Sequence, residues 1–192
     1  MQLMIQRLPA DCQSRQQHIA AYALLSDALF GAAGIRTARI LREEMGKPYL
    51  LGTDLQFSLS HCKGMAVCAL GDHTPIGVDC EALRTVRPRV AKRCFSDSEL
   101  RQLEQSDQPD LLFTRLWTLK ESFVKAIGRG ISYPMKSISF KLCDDCITAS
   151  DSTFSFSQIL TEDGFVISVC HKDADGKCRN TGGAGEITVV SL

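Results

Sequence analysis

The chain holds 192 residues, room for one domain or two small ones and no more. Hydrophobic residues make up 44% and charged ones 23%, which predicts a packed core, and 22 Lys and Arg against 22 Asp and Glu leave no basic excess for a whole-surface grip on nucleic acid or an anionic membrane. Nine cysteines, an odd number, behind a Met1 to Pro9 start that lacks an apolar signal core, predict a cytoplasmic protein with reduced thiols.

In chain order, Ser14 to Gly34 carries Ile19, Tyr22, Ala23, Leu25, Leu29 and Phe30 near a 3.6-residue period, and Gly34 is placed to end a helix. Ser26, Asp27 and the glycines break this stretch, so it is not a membrane span. Gly46-Lys47-Pro48 forms a turn. Leu55 to Ser60 then alternates as a half-buried strand, and Met65 to Leu70 is a short apolar strand beside it. Ile76 to Glu81 alternates again: Ile76, Val78 and Cys80 face one side and Asp79 and Glu81 the other, so the two carboxylates share a face.

From Leu83 to Pro109 the chain turns polar, with Arg84, Arg87, Arg89, Lys92 and Arg93 crowded ahead of Ser96-Asp97-Ser98-Glu99, a capping box opening a short helix. Leu112 to Ile127 returns to helical spacing and stops at Gly128-Arg129-Gly130. Strands are predicted over Ser137 to Leu142, Thr153 to Phe156, Phe165 to Cys170 and Glu186 to Val190, with a flexible turn at Asn180 to Gly185. Helix first and strands afterwards in each half predict an α+β fold of two tandem pseudo-symmetric halves, each a helix on a small antiparallel sheet, over 1–83 and 111–192, joined by a linker at 84–110.

Asp79 and Glu81 are hard oxygen donors of the kind that suits Mg²⁺, and equally an ordinary pair of acids on an exposed strand. Trp117, Glu121 and Lys125 fall at i, i+4 and i+8 of the second helix, which puts a carboxylate and an ammonium on one face, as reactive groups or as a surface ion pair. Cys143-x-x-Cys146 with Cys170, His171 and Cys178 admits a zinc reading, while Asp144-Asp145 fits a polar turn.

Gly46-Lys47-Pro48, Phe57-Ser58-Leu59-Ser60-His61, Ile76-Gly77-Val78-Asp79-Cys80-Glu81 and Leu116-Trp117-Thr118-Leu119-Lys120-Glu121-Ser122-Phe123-Val124-Lys125 resemble, in this order, the motifs of the 4′-phosphopantetheinyl transferases of the surfactin (Sfp) type. The likeness spans residues 46 to 134. It implies an enzyme that moves the phosphopantetheine arm of coenzyme A to a serine of an apo acyl, peptidyl or aryl carrier protein, releasing adenosine 3′,5′-bisphosphate. By resemblance, Asp79, Glu81 and Glu121 hold Mg²⁺ against the diphosphate and Lys125 pairs with a phosphate. Glu121 has a second candidate role as base toward the serine. Ser60, His61, Lys47 and Arg15 match residues that contact the nucleotide. Cys80 stands where relatives often carry an aliphatic residue. The basic Leu83 to Phe95 segment is the expected docking surface for the carrier, and two halves on one chain predict a monomer. The competing readings are a zinc-dependent interaction module built on the C-terminal cysteines and a catalytically inactive carrier-protein binder.

Overall fold

The structure, a computed structural model, describes residues 1–143, 146–172 and 188–191. Strand β1 (Gln2–Arg7) opens the chain and α1 (Ser14–Ala33) follows, with a hairpin of β2 (Ile40–Arg42) and β3 (Pro48–Leu50) leading to β4 (Gln56–Cys62) and β5 (Met65–Gly71). Next come β6 (Ile76–Ala82) and three helices, α2 (Pro88–Cys94), α3 (Asp97–Glu104) and α4 (Pro109–Ile127). The chain closes with the hairpin β7 (Phe140–Cys143) and β8 (Cys146–Ala149), then β9 (Phe154–Leu160), β10 (Phe165–Lys172) and β11 (Thr188–Ser191).

The two larger sheets are ordered β11-β1-β5-β4 and β6-β10-β9. Each contains a β-α-β-β unit in which the first strand pairs with the third and the third with the second: β1-α1-β4-β5 and β6-α4-β9-β10. The α+β class and the two similar units are therefore present. The repeat, however, begins at β6 and not after residue 83, because β6 pairs with β10, and β11 returns to β1.

The predicted linker at 84–110 is likewise mostly helix. α2 and α3 bury Ala91, Phe95 and Leu103 in one core with Phe113, Leu116 and Phe140. Arginine-rich spacing hid this apolar stripe. The capping box does open α3, with Ser96 accepting from the Glu99 amide and the Glu99 carboxylate accepting from the Ser96 amide.

The layers stack as α1, first sheet, second sheet, α4. Ala21, Leu24, Leu25, Ala28 and Leu29 of α1 meet Phe57, Ala66 and Cys68. Ile19 and Phe30, expected inside, are 59% and 50% exposed, because the buried stripe lies one position round the helix from the predicted one. Between the sheets, Leu3, Ile5, Val67, Val78, Cys80 and Ile167 form a second core. Glycine at 77 sets the approach of α4: a Cβ there would overlap the Ser122 carbonyl oxygen and the Ala126 amide. Burying these faces supplies the main folding force, about 25 cal/mol per Å² of apolar surface.

Deep in the α4 core, the fully buried Lys120 ammonium donates to the Glu99 carboxylate at 2.9 Å and to the carbonyls of Met135 and Ile138. Burial pulls Lys120 below the ordinary lysine range, and Glu99 only partly restores it. No helix among the described residues is long and apolar enough to cross a membrane.

Candidate active site

Strands β4 and β6 run side by side at the seam of the two sheets without a backbone ladder between them. Serines bridge the gap: Ser58 Oγ accepts from the Val78 amide at 3.0 Å and Ser60 Oγ from the Cys80 amide at 3.3 Å. The strand period that turns Ser58 and Ser60 to the seam sends Phe57, Leu59 and His61 toward α1.

On β6, Cys80 packs into the core and Asp79 turns toward α4, as the alternation predicts. Asp79 is 5% exposed, and its Oδ1 accepts from Ser60 Oγ at 2.9 Å and from Lys125 Nζ at 2.7 Å. Its Oδ2 is buried with no hydrogen-bond partner. Lys125 thus pairs with Asp79 across the seam. Burial pulls its ammonium down, but the Asp79 charge and hydrogen bond more than offset this and hold it above the ordinary lysine range.

Glu81 pairs with Arg84 one turn of chain later. Burial first, and then Asp79, push its carboxyl up to about 7 against the pull of Arg84. Glu121 is raised for the same two reasons, burial and Asp79, with Lys125 and Arg84 opposing. Three acids that feel one another, with one lysine and one arginine among them, make a site short of positive charge.

No three His, Cys, Asp or Glu side chains among the described residues are gathered tightly enough to hold a metal ion as they stand. The donor set nonetheless fits Mg²⁺. That ion takes oxygen ligands from carboxylates, waters and substrate phosphates, and Asp79 Oδ2 is a buried oxygen in want of a partner.

A cavity of about 410 Å³ opens beside these acids, between α1, β4, the β2–β3 hairpin and the C-terminal half of α4. Glu121 and Lys125 line it and so belong to both places. His61 lines it too, with Nδ1 3.4 Å from Gln17 Oε1 and its ring edge-on to His18. Burial, and then the neighbouring His18 and Lys125, hold His61 below the ordinary histidine range, a bias that an anion in the cavity would reverse.

Three expected nucleotide contacts are placed otherwise. Arg15 is exposed at the head of α1, outside the cavity walls, and the wall position belongs to His18, one turn on. Lys47 lines the cavity with its stem, but its ammonium donates to the Ala126 carbonyl at 2.7 Å and the Ile76 carbonyl at 3.4 Å. Burial lowers it despite Glu43. Ser60 lies behind the cavity wall in the Asp79 network.

Sequence reasoning passed over Arg42, Tyr22 and Gly128, which complete the walls. Nothing in the sequence marks Arg42, whose place opposite Pro48 emerges only in the folded hairpin. The zinc reading finds no support among the described residues: Cys143 and Cys146 face each other at an exposed hairpin, while Cys170 is buried in the α4 core. Asp144, Asp145, Cys178 and the Asn180 to Gly185 turn lie outside the described residues.

Comparison with known proteins points to one family. A family model described as the 4′-phosphopantetheinyl transferase superfamily matches residues 75–177, which takes in β6, α4 and β10. A 4′-phosphopantetheinyl transferase of Bacillus subtilis is 42% identical over 106 residues, 54% of this chain and 47% of the relative. The 4′-phosphopantetheinyl transferase Sfp of Bacillus subtilis strain 168 is 37% identical over 110 residues, 56% of this chain and 49% of the relative. HetI, a 4′-phosphopantetheinyl transferase of a Nostoc species, is 33% identical over 130 residues, 62% of this chain and 55% of the relative. The chain spans about half the length of these curated relatives. With more than half of its residues inside the matched family model, the protein belongs to the 4′-phosphopantetheinyl transferase superfamily.

Proposed function

We propose that the protein transfers the 4′-phosphopantetheine arm of coenzyme A to a serine hydroxyl of an apo carrier protein, acyl, peptidyl or aryl, and releases adenosine 3′,5′-bisphosphate. The observation that carries this reading is the junction of two places at Glu121 and Lys125: a cavity fit for a nucleotide and a cluster of acids short of positive charge.

Coenzyme A enters the cavity, with its adenine against Tyr22 and Met45 and its 3′-phosphate near His61 and His18. An anion there draws a proton onto His61, whose neutral form burial and the neighbouring His18 and Lys125 favour. The diphosphate comes to rest at Lys125, which exchanges its bond to Asp79 for a phosphate oxygen. Asp79, Glu81 and Glu121 would hold Mg²⁺, which when bound neutralises negative charge on the diphosphate. Glu121, whose carboxyl burial and Asp79 raise above the ordinary range, takes the proton from the carrier serine. The carrier approaches over α2, where Arg87, Arg89, Lys92 and Arg93 are exposed on the rim that β6 runs into. Opposite charge on the carrier would steer it there.

The test is mass spectrometry of an apo carrier protein incubated with this protein, coenzyme A and Mg²⁺. A mass gain equal to the phosphopantetheine arm, lost with Glu121→Gln, is the expected result. An unmodified carrier from each of the acyl, peptidyl and aryl classes sinks the reading.

A further inference from the structure

Cys62 and Cys80 take no part in the reaction proposed above, yet their sulfurs lie 3.9 Å apart at the seam beside the acids. Cys62 is the last residue of β4, half-buried ahead of the Lys63-Gly64 turn. Cys80 is buried, between Asp79 and Glu81. The arrangement is that of a reactive outer thiol backed by an inner one. Other described cysteines do not offer it at the site: Cys68 and Cys170 are buried in other cores, and Cys143 and Cys146 face each other on a distant hairpin.

We propose that Cys62 and Cys80 are an oxidisable dithiol, closed to a disulfide by hydrogen peroxide, and that closure displaces the acid strand and slows transfer. The chemistry balances without further reagents. Sulfur of Cys62 attacks the peroxide O–O bond and becomes a sulfenic acid while one water leaves. Sulfur of Cys80 then attacks that sulfenic sulfur, the S–S bond forms, and a second water departs carrying the Cys80 proton. Two thiols are oxidised by two electrons and one peroxide is reduced to two waters.

A disulfide needs its sulfurs about 2.05 Å apart, so the pair must close by nearly half its separation. The seam can yield. β4 and β6 are held there by the serine side chains of 58 and 60 and not by a backbone ladder, so their spacing is set by groups that rotate. Any shift of Cys80 is passed to Asp79 and Glu81 on either side and, through Ser60, to the Asp79–Lys125 pair. A displacement of about 1 Å at a reacting centre costs up to about 100-fold in rate, so a fall of about tenfold or more is expected.

The loss of transfer rests on the function proposed above, whereas the disulfide does not, and the experiment reads them separately. A full-length Cys143→Ser/Cys146→Ser background removes the exposed hairpin pair. The reduced protein is exposed briefly to hydrogen peroxide, its free thiols are blocked with N-ethylmaleimide, and the unreduced digest is mapped by mass spectrometry.

The expected map is a peptide linked through Cys62 and Cys80, with a transfer rate about tenfold lower that dithiothreitol restores. Cys62→Ser keeps the reduced rate and loses the peroxide sensitivity. Cys80→Ala, checked for folding by circular dichroism, leaves Cys62 to run on to sulfinic acid. The proposal is overturned if Cys62 and Cys80 both take the blocking reagent after peroxide, if wild-type Cys62 becomes sulfinic while Cys80 stays free, or if the linked protein transfers at the reduced rate. If the reduced protein transfers nothing, the function proposed above fails, while the presence or absence of the linked peptide still upholds or overturns the dithiol.

Discussion

Lys120 and Lys125 stand five residues apart on α4, about 140° round the helix, and meet opposite fates. Lys120 is sealed in the core, matched by one carboxylate and two carbonyls, with the rings of Phe95 and Phe140 within 6 Å. Lys125 keeps 30% of its side chain exposed and faces Asp79 at the edge of a cavity lined by Glu121, which has no salt-bridge partner among the described residues, while the nearby Glu81 is held by Arg84. A saturated ion pair has nothing left to offer a ligand and can only hold the fold. An unsaturated acid cluster costs the folded protein stability and is ready for a cation and a substrate. The same helix therefore fixes one lysine in the core and leaves the other facing the cavity.

The comparison breaks first at the sealed pair. Lys120→Met leaves Glu99 charged in a dry core, and a loss of about 3–5 kcal/mol in unfolding free energy is expected. Adding Glu99→Gln should recover much of it, since the stranded charge and not the missing bond carries the cost. Urea denaturation of the single and double variants decides this: equal stability in all three proteins shows that the pair is not sealed.

At the open end the signs invert. Glu121→Gln removes an acid that burial and Asp79 already disfavour, so folding stability at neutral pH should hold or rise slightly while kcat falls about 10²–10⁴-fold. Stopped-time transfer assays beside thermal unfolding measure both quantities on the same preparation. A variant that loses stability and activity together would place Glu121 with Lys120, on the side of architecture.

How much of this contrast could be read from sequence depends on what periodicity encodes. A period of two was enough to set Asp79 and Glu81 on one face of β6 and Cys80 on the other. Helical spacing put Glu121 and Lys125 on one wall. Neither period names a strand's neighbour, so β6 was assigned to the first half although it pairs with β10, and the serine bridges to β4 were invisible. Nothing local marks Lys120 as fully buried, because its carboxylate partner sits 21 residues away in α3. Lys47 carried the right charge in the right turn, but only the packed hairpin shows that its ammonium is already engaged by carbonyls. His18 escaped because Arg15, one turn earlier on α1, carried the charge that the motif suggested.

The acid cluster also gives the comparison a pH axis. Glu81 titrates near 4.5 when unfolded and near 7 in the folded protein. Its folded value is raised, so the stability held by the protonated carboxyl is fully present below about pH 4.5 and is lost as pH rises through about 7. Unfolding free energy should fall by on the order of 1–2 kcal/mol between pH 5 and 7.5, with Glu81→Gln flattening the slope. Millimolar Mg²⁺ should stabilise the wild type more at pH 7.5 than at pH 5, because it competes with protons for the same oxygens. Denaturation across that pH range with and without the ion measures both effects. A slope that survives Glu81→Gln unchanged assigns it to another group.

The smallest expected effect separates anchoring from recognition within the cavity wall itself. Lys47 clamps the hairpin to the C-terminal end of α4, where its ammonium meets the Ala126 carbonyl and its stem lies 3.1 Å from where a Cβ on Gly128 would stand. A cation there also complements the negative end of the helix dipole. Lys47→Met keeps the stem and removes the clamp, which should cost about 1–2 kcal/mol of stability. The KM for coenzyme A should rise a few-fold as the hairpin loosens, and by the same factor for its 3′-dephospho form, because an ammonium tied to carbonyls does not read the 3′-phosphate. His61→Ala should behave differently, raising the KM for coenzyme A and leaving that for the dephospho form nearly unchanged. If instead Lys47→Met erases the preference for the 3′-phosphorylated substrate as His61→Ala does, the ammonium leaves its carbonyls when substrate arrives, and Lys47 joins Lys125 on the side of chemistry.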